Sequence, residues 1–304
     1  MHYTIGLDVG GTKIAGGLLD ASGQLIARER VLTPVQQGGA AVLSACVALA
    51  EQLRDAAGDV PITGIGIGVC ELVGLDGRAT SAYNFDWRDL DVPPALAHIG
   101  PTVVDSDVRS AALAEARYGA GRPYDLFAYI TVGTGISYTL VPDGIPFRGA
   151  RGNALLLASM PLTLRCDACG HEVNQVLEEY AGGPGLQARY NAQTGAQLTS
   201  GQQLMAAVNG GDPIARDVVE SAAASLGSSV GLLVNLLDPQ ALVIGGGLGL
   251  AGGLYWESFV QSTRAHIYAD DTRQLPILPA ELGVDAGVIG AALLIGNTGL
   301  GIRD

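Results

Sequence analysis

Apolar positions in this chain fall into short blocks of two kinds, and their order predicts an α/β protein. Ile5–Val9 is apolar and β-rich, and it runs through a Gly-Gly turn directly into a second strand, Ile14–Leu19. Asp20–Gly23 supplies a hairpin to a third strand, Gln24–Val31. Apolar residues then change to helical spacing: Val42, Leu43, Cys46, Leu49, Ala50 and Leu53 place one buried face on a helix over Gly39–Gly58. Ile62–Val69 is an apolar strand studded with glycine, which implies close approach of another backbone. A short buried strand at Thr102–Asp105 and an alanine-rich helix at Arg109–Tyr118 complete a βββαβα series. The series restarts with strands at Leu126–Val132 and Ile136–Val141. Past residue 150 the pattern is mainly helical. Asp212–Leu237 reads as a long helix with Ala222, Leu226, Val230, Leu233 and Leu237 as its buried stripe, ended by Asp238-Pro239. Ala241–Ile244 is a further strand, and Ala286–Leu294 a last helix of small residues.

The junctions between strands carry the chemistry. Asp8 ends the first strand, and Gly10, Gly11, Thr12 and Lys13 form the turn into the second. Two glycines let a backbone turn tightly and bring its N–H groups to a phosphate, to which Thr12 adds a hydroxyl and Lys13 a charge. Asp8 can hold Mg²⁺ or the water around it. The spacing is too short for a Walker A loop, and a Rossmann turn would lead into a helix instead of a strand. An ordinary Gly-Gly hairpin is the alternative for this segment taken alone. The device recurs at Gly133, Thr134 and Gly135, and a third cluster, Gly245, Gly246 and Gly247, follows the strand at Ala241–Ile244. Two strand–glycine–strand turns suggest a duplicated phosphate clamp, and the triple glycine leaves room for a flat base or ribose. Asp107 stands where a buried strand meets a helix, a position suited to a carboxylate that accepts a hydroxyl proton. Helix capping by Ser106 or Asp107 is the competing role.

Composition narrows the field. A net charge of −13 without a basic cluster argues against nucleic acid and anionic membrane surfaces. Gly227–Gly247 comes nearest to a membrane-spanning run but carries Asn235, Asp238 and Pro239, so no span is expected. A strand starting within three residues of the N-terminus leaves no room for a signal peptide, and four cysteines make no disulfide framework. The expected setting is therefore the cytoplasm. The 304 residues suffice for two modest domains, with a boundary near Gly119–Pro123.

The order of these motifs resembles the ROK family of bacterial sugar kinases, with an actin-like (ribonuclease-H-like) two-domain ATPase fold and an interdomain cleft. The expected division is 1–119 and 120–304, with the C-terminal helix, about 286–300, returning to the first domain. The family carries Glu-Asn-Asp-Ala-Asn where this chain has Asp105-Ser106-Asp107-Val108-Arg109. The resemblance therefore makes Asp107 the catalytic base, with Ser106 and Arg109 replacing two asparagines. Where the family has Pro-Gly after the third glycine-rich strand, this chain has Cys70-Glu71. The family's Glu-Ile-Gly-His, which binds sugar hydroxyls, is replaced by Leu156-Leu157-Ala158-Ser159. Leu177-Glu178-Glu179-Tyr180-Ala181-Gly182 keeps the family pattern, so Glu178 is a sugar-facing candidate. Asn84 joins Glu71, Ser106, Asp107, Arg109 and Glu178 as acceptor ligands; Glu71 is expected to pair with Arg109 when the site is empty or to meet an ammonium group on the acceptor, the alternative being a carboxylate that points to solvent. The family's zinc motif is altered: Cys166 and Cys169 followed by His171 are three candidate ligands, Val176 stands at the place of the last cysteine, Ser159 at that of the family's histidine, and a chance or relict Cys-x-x-Cys pair is the alternative.

The nucleotide-side motifs are intact and the sugar-side motifs are altered. The resemblance thus implies Mg-ATP-dependent phosphorylation of a hydroxyl on a hexose, aminosugar or sugar-like cyclitol. It also implies a homodimer or higher homo-oligomer and a structural Zn²⁺. A catalytically inactive sugar-binding protein is the alternative. A repressor of the same family would need a DNA-binding segment for which the chain has neither residues nor charge.

Overall fold

The computed structural model describes residues 2–165, 169–170 and 172–297. The chain forms two compact units. The first takes Met1–Pro123, Thr139–Ala154 and the segment from Val284; the second takes Tyr124–Tyr138 and Leu155–Gly283.

The first unit opens with β1 (Tyr3–Val9), β2 (Lys13–Asp20) and β3 (Leu25–Leu32), followed by α1 (Gly39–Ala56) and β4 (Ile62–Val69). A short α2 (Val92–Leu96), β5 (Thr102–Ser106) and α3 (Asp107–Tyr118) complete the run. The sheet order is β3-β2-β1-β4-β5, with β1 antiparallel to β2 and parallel to β4. Val42, Cys46, Leu49, Ala50 and Leu53 are the buried face of α1, as their spacing predicts. A chain-terminal helix covers the sheet as well, and its approach explains the glycines in the strands. Gly6 and Gly66 pair across β1 and β4, and a Cβ at either would collide with helix backbone, the Val288 and Ala291 carbonyls respectively.

The second unit contains β6 (Leu126–Val132) and the start of β7 (Ile136–Pro142), then the hairpin of β8 (Pro161–Arg165) and β9 (Glu172–Val176). Four helices follow: α4 (Leu177–Ala181), α5 (Gly183–Thr194), α6 (Gly201–Asn209) and α7 (Pro213–Leu237). β10 (Ala241–Gly245), α8 (Gly253–His266) and β11 (Ile277–Pro279) come next, and α9 (Ala286–Leu293) is the helix that lies on the first unit's sheet. The sheet order β11-β10-β6-β7 repeats the β5-β4-β1-β2 order of the first, without a counterpart of β3.

α7 is the one described helix long and apolar enough to cross a bilayer by length and composition, which the interrupted sequence did not lead us to expect. Its interior residues, from Ala215 to Val234, are buried within the unit. Asp212 caps its first turn, accepting from the N–H groups of Ile214 (2.8 Å) and Ala215 (3.1 Å). Gly227 and Gly231 let α8 pack close: a Cβ on Gly227 would lie 2.6 Å from the Phe259 carbonyl oxygen. Leu237 is only half-buried, and Val234 completes the stripe instead.

Candidate functional site

In the first unit, the Gly10–Lys13 turn is closed by the Gly10 N–H donating to the Lys13 carbonyl (3.0 Å). Thr33, just beyond β3, braces it from outside. Its hydroxyl donates to the Gly10 carbonyl (2.6 Å) and its N–H to the Thr12 carbonyl (3.0 Å). Thr12 and Lys13 are left exposed. The brace was not apparent in the sequence because Thr33 is brought to the turn only by β2–β3 pairing.

Asp8 and Asp107 belong to neighbouring elements. Asp8 pairs with Gly68 across β1 and β4, and the absent side chain of Gly68 lets α3 lie close, with Asp107 Cα 3.4 Å from where a Cβ would stand. Each residue keeps partial exposure, yet both carboxyls are enclosed by protein. Burial pushes the Asp107 carboxyl up to about 7, helped by the negative charge of Asp8 and opposed by the Val108 N–H that it accepts at 2.6 Å. Burial also raises Asp8, to about 6, and Lys13 works against the rise. Gly287, in the first turn of α9, has no Cβ because the Asp8 carboxyl fills that space, 2.6 Å from the Cβ position. The helix N-terminus there favours negative charge.

The acceptor candidates are placed differently from expectation. Ser106 is buried, and its hydroxyl accepts from the Arg109 N–H (3.4 Å), so it caps α3. Arg109 does not pair with Glu71. It is 1% exposed, bonded to Asp105 through Nε (2.7 Å) and donating to the carbonyls of Gly152 (2.8 Å) and Val73 (3.1 Å). Asp105, near the end of β5, stands four residues before Arg109 in the first turn of α3, and that short spacing was the signal for this pairing. Arg148 joins them, 3.7 Å from Asp105 and donating to the Gly74 (3.0 Å) and Leu75 (3.3 Å) carbonyls. The two arginines tie the Thr139–Ala154 excursion to the first unit. Glu71 points neither to solvent nor to Arg109. At 4% exposure it accepts from the Ser81 hydroxyl and from the N–H groups of Tyr83 (2.9 Å), Asn84 (2.5 Å) and Phe85 (3.3 Å). Asn84 is exposed, its amide donating to the Cys70 carbonyl (3.1 Å). Its Oδ1 lies 2.6 Å from where a Gly11 Cβ would be, against the phosphate turn.

In the second unit, Gly133–Gly135 and Gly245–Gly247 stand side by side beyond the carboxyl ends of the parallel strands β6 and β10, the usual place for ligands in such sheets. The Gly247 nitrogen is 3.8 Å from the Cβ position of Gly133, and the N–H groups of Leu248 (2.9 Å) and Gly249 (3.1 Å) donate to the Val132 carbonyl. Gly246 has φ +81° and its Cβ position is occupied by Val132 backbone, so only glycine fits. The first turn is closed by Gly133 N–H to Gly135 O (2.9 Å) and anchored by Gly183 N–H to Gly133 O (2.8 Å), leaving Thr134 exposed. Glu178 is seated beneath this turn. One of its carboxylate oxygens accepts from the Ile136 N–H (2.7 Å), and a Cβ on Gly135 would lie 2.7 Å from it. Of the zinc candidates, Cys169 is exposed; Cys166 and His171 lie outside the described residues.

The comparisons agree with this arrangement. The ROK family model matches residues 4–298. A glucokinase from Streptomyces coelicolor is 30% identical, over 96% of this chain and 97% of its own length. A kanosamine kinase from Amycolatopsis mediterranei is 30% identical over 98% of each chain. The crystal structure of a ROK family glucokinase from Streptomyces griseus, in complex with glucose and AMPPNP, superposes with a TM-score of 0.82 at 28% identity, over 96% of this chain and 98% of its own. A ROK hexokinase from Thermus thermophilus gives 0.78 at 32%, over 96% and 97%. With its glycine turns, duplicated strand order and full-length match, the chain belongs to the ROK family, on the actin-like ATPase fold.

Proposed function

We propose that this protein is an ATP-dependent kinase that phosphorylates a hydroxyl of a hexose, aminosugar or sugar-like cyclitol. The observation that carries the reading is Asp107, a carboxyl raised to about 7, beside Asp8 at the end of the strand that enters the Gly10–Lys13 turn. A general base works best when it titrates near the operating pH. Asp107 takes the proton of the attacking hydroxyl as its oxygen bonds to the γ-phosphorus; the bond from that phosphorus to the bridging oxygen breaks, and ADP leaves with the bridging oxygen. Thr12, Lys13 and the N–H groups of the turn meet phosphate oxygens. Gly133–Gly135 and Gly245–Gly247 carry the nucleotide in the second unit.

The Asp8 carboxyl suits Mg²⁺, since it is enclosed, raised by burial, and drawn down only by Lys13. Asp8 would hold that ion, which when bound would supply charge neutralisation for the transferring phosphate. Zinc at Cys166, Cys169 and His171 rests on the motif alone.

Relatives named as glucokinase, kanosamine kinase and N-acetylgalactosamine kinase support a sugar acceptor and disfavour an inactive protein. The commitment of Glu71 to four internal donors removes the reason to expect an ammonium group opposite it, and Arg109 is likewise withdrawn. Asn84 and Asp107 are left as polar acceptor contacts from the first unit. The proposed setting is the cytoplasm, as a homo-oligomer. ADP release against a panel of hexoses, aminosugars and cyclitols tests the reading. Turnover with one class is expected, and no release with any member would refute it.

A further inference from the structure

The Cys70-Glu71 corner at the end of β4 does more than terminate a strand. Three successive backbone N–H groups, from Tyr83, Asn84 and Phe85, converge on the buried Glu71 carboxylate. Such a concave run of amides is an anion-binding nest, and here the chain's own carboxylate fills it. Ser81 completes the set, donating to Glu71 while its oxygen accepts from the Leu72 N–H (2.8 Å). Beyond the nest the segment is anchored by aromatics. Phe85 and Trp87 are buried, 5.0 Å apart between ring centres, and the indole N–H donates to the Gly39 carbonyl (2.9 Å).

Between the buried Ser81 and Phe85, Ala82, Tyr83 and Asn84 face outward. Of the three, Asn84 has its amide held by the Cys70 carbonyl, with its Oδ1 beside Gly11, 2.6 Å from where a Cβ there would stand. A buried acidic side chain with all its bonds spent on one loop thus determines where one exposed amide stands, beside the turn that meets phosphate. Glu71 also lies within electrostatic reach of Asp107, the proposed base.

We propose that Glu71 is a positioning residue for phosphoryl transfer: by holding the Tyr83–Phe85 backbone it presents the Asn84 amide to the acceptor hydroxyls beside the Gly10–Lys13 turn. The inference rests on the kinase reading and adds to it the residue that sets the acceptor's contact. A neutral isostere at Glu71 turns one accepting oxygen into an N–H donor facing other donors, so the loop loosens while the shape is kept.

The test is a double-mutant cycle of Glu71→Gln and Asn84→Ala with the acceptor found in the panel, together with amide hydrogen exchange at residues 83–85. Each single variant should raise the acceptor KM about tenfold, with kcat and the ATP KM within about twofold. The double variant should be no worse than Asn84→Ala alone. Exchange at Tyr83–Phe85 should quicken in Glu71→Gln, and Glu71→Asp, which keeps the charge with shorter reach, should recover part of the KM. Multiplicative KM effects in the double variant, a loss confined to kcat, or unchanged exchange would overturn the proposal in an active enzyme. A wild type that phosphorylates no acceptor would instead overturn the kinase reading beneath it.

Discussion

Replacing Asp107 with asparagine should lower activity and raise stability at the same pH. The side chain keeps its size and can still accept from the Val108 N–H, so binding of ATP should be retained. A positioned general base contributes roughly 10²–10⁴ in rate, so kcat should fall by that factor, about 3–5 kcal/mol of barrier. The stability change follows from linkage. The folded protein holds the Asp107 carboxyl at about 7, against an ordinary 3.8, so its ionised form is disfavoured by folding. Stability from this group is complete below the ordinary value and is lost as pH rises through about 7. A rise of about three pH units corresponds to at most about 4 kcal/mol at pH 8, and the residue's partial exposure reduces this to about 2. Asp107→Asn should therefore melt several degrees higher than wild type at pH 8, and the difference should fade toward pH 4. The wild-type kcat/KM should climb tenfold per pH unit below about 6 and level off above 7, whereas the variant's residual rate should lose that ascending limb. Differential scanning fluorimetry across pH and steady-state kinetics measure both. Near-normal turnover, or a variant less stable than wild type at pH 8, would refute the reasoning.

Glu178→Ala should leave the Ile136 N–H without its partner and loosen the Gly133–Gly135 turn, raising the ATP KM about tenfold and sparing the acceptor KM; the opposite pattern would return Glu178 to the sugar. Gly287→Ala should cost about 1–3 kcal/mol in a denaturant titration and raise the Mg-ATP KM, because the new methyl displaces the Asp8 carboxyl; an unchanged melt would mean that α9 shifts freely. Metal analysis of purified protein should find one zinc per chain, absent in Cys169→Ser, and a metal-free protein of full thermal stability would leave the motif a relic.

Much of the fold was legible because strand ends and glycine turns follow local rules. Ile5–Val9 entering Gly10 and Gly11, and Leu126–Val132 entering Gly133, need only alternation and turn chemistry to be read. The glycines of β4 announced a close backbone, and α9 supplies it. The helices α5 and α8 were not delimited, since their mixed aromatic and polar residues blur the periodicity, and α6, at nine residues, is short for a periodic pattern to be read. The acceptor side was least legible. The partners of Glu71 lie 10–14 residues away and the two carbonyls that meet Arg109 lie 36–43 away, on loops whose path no local pattern records; only Asp105, four residues from Arg109, was local. Sequence reasoning paired the two charges with each other because a buried charge needs a partner. The partners existed, and they were Asp105 and backbone.

The seat of Asp8 against Gly287 has a consequence for synthesis on the ribosome. The strand bearing Asp8 emerges well before the helix that encloses its carboxyl, which follows nearly 280 residues later. Until α9 is out of the exit tunnel, the β1 and β4 glycines form an uncovered groove in the sheet, and the Asp8 carboxyl lacks its seat against Gly287. Contacts this distant in sequence form late and slowly. A chain stalled before residue 284 would therefore be recognisable as unfinished, with an open sheet face available to a chaperone.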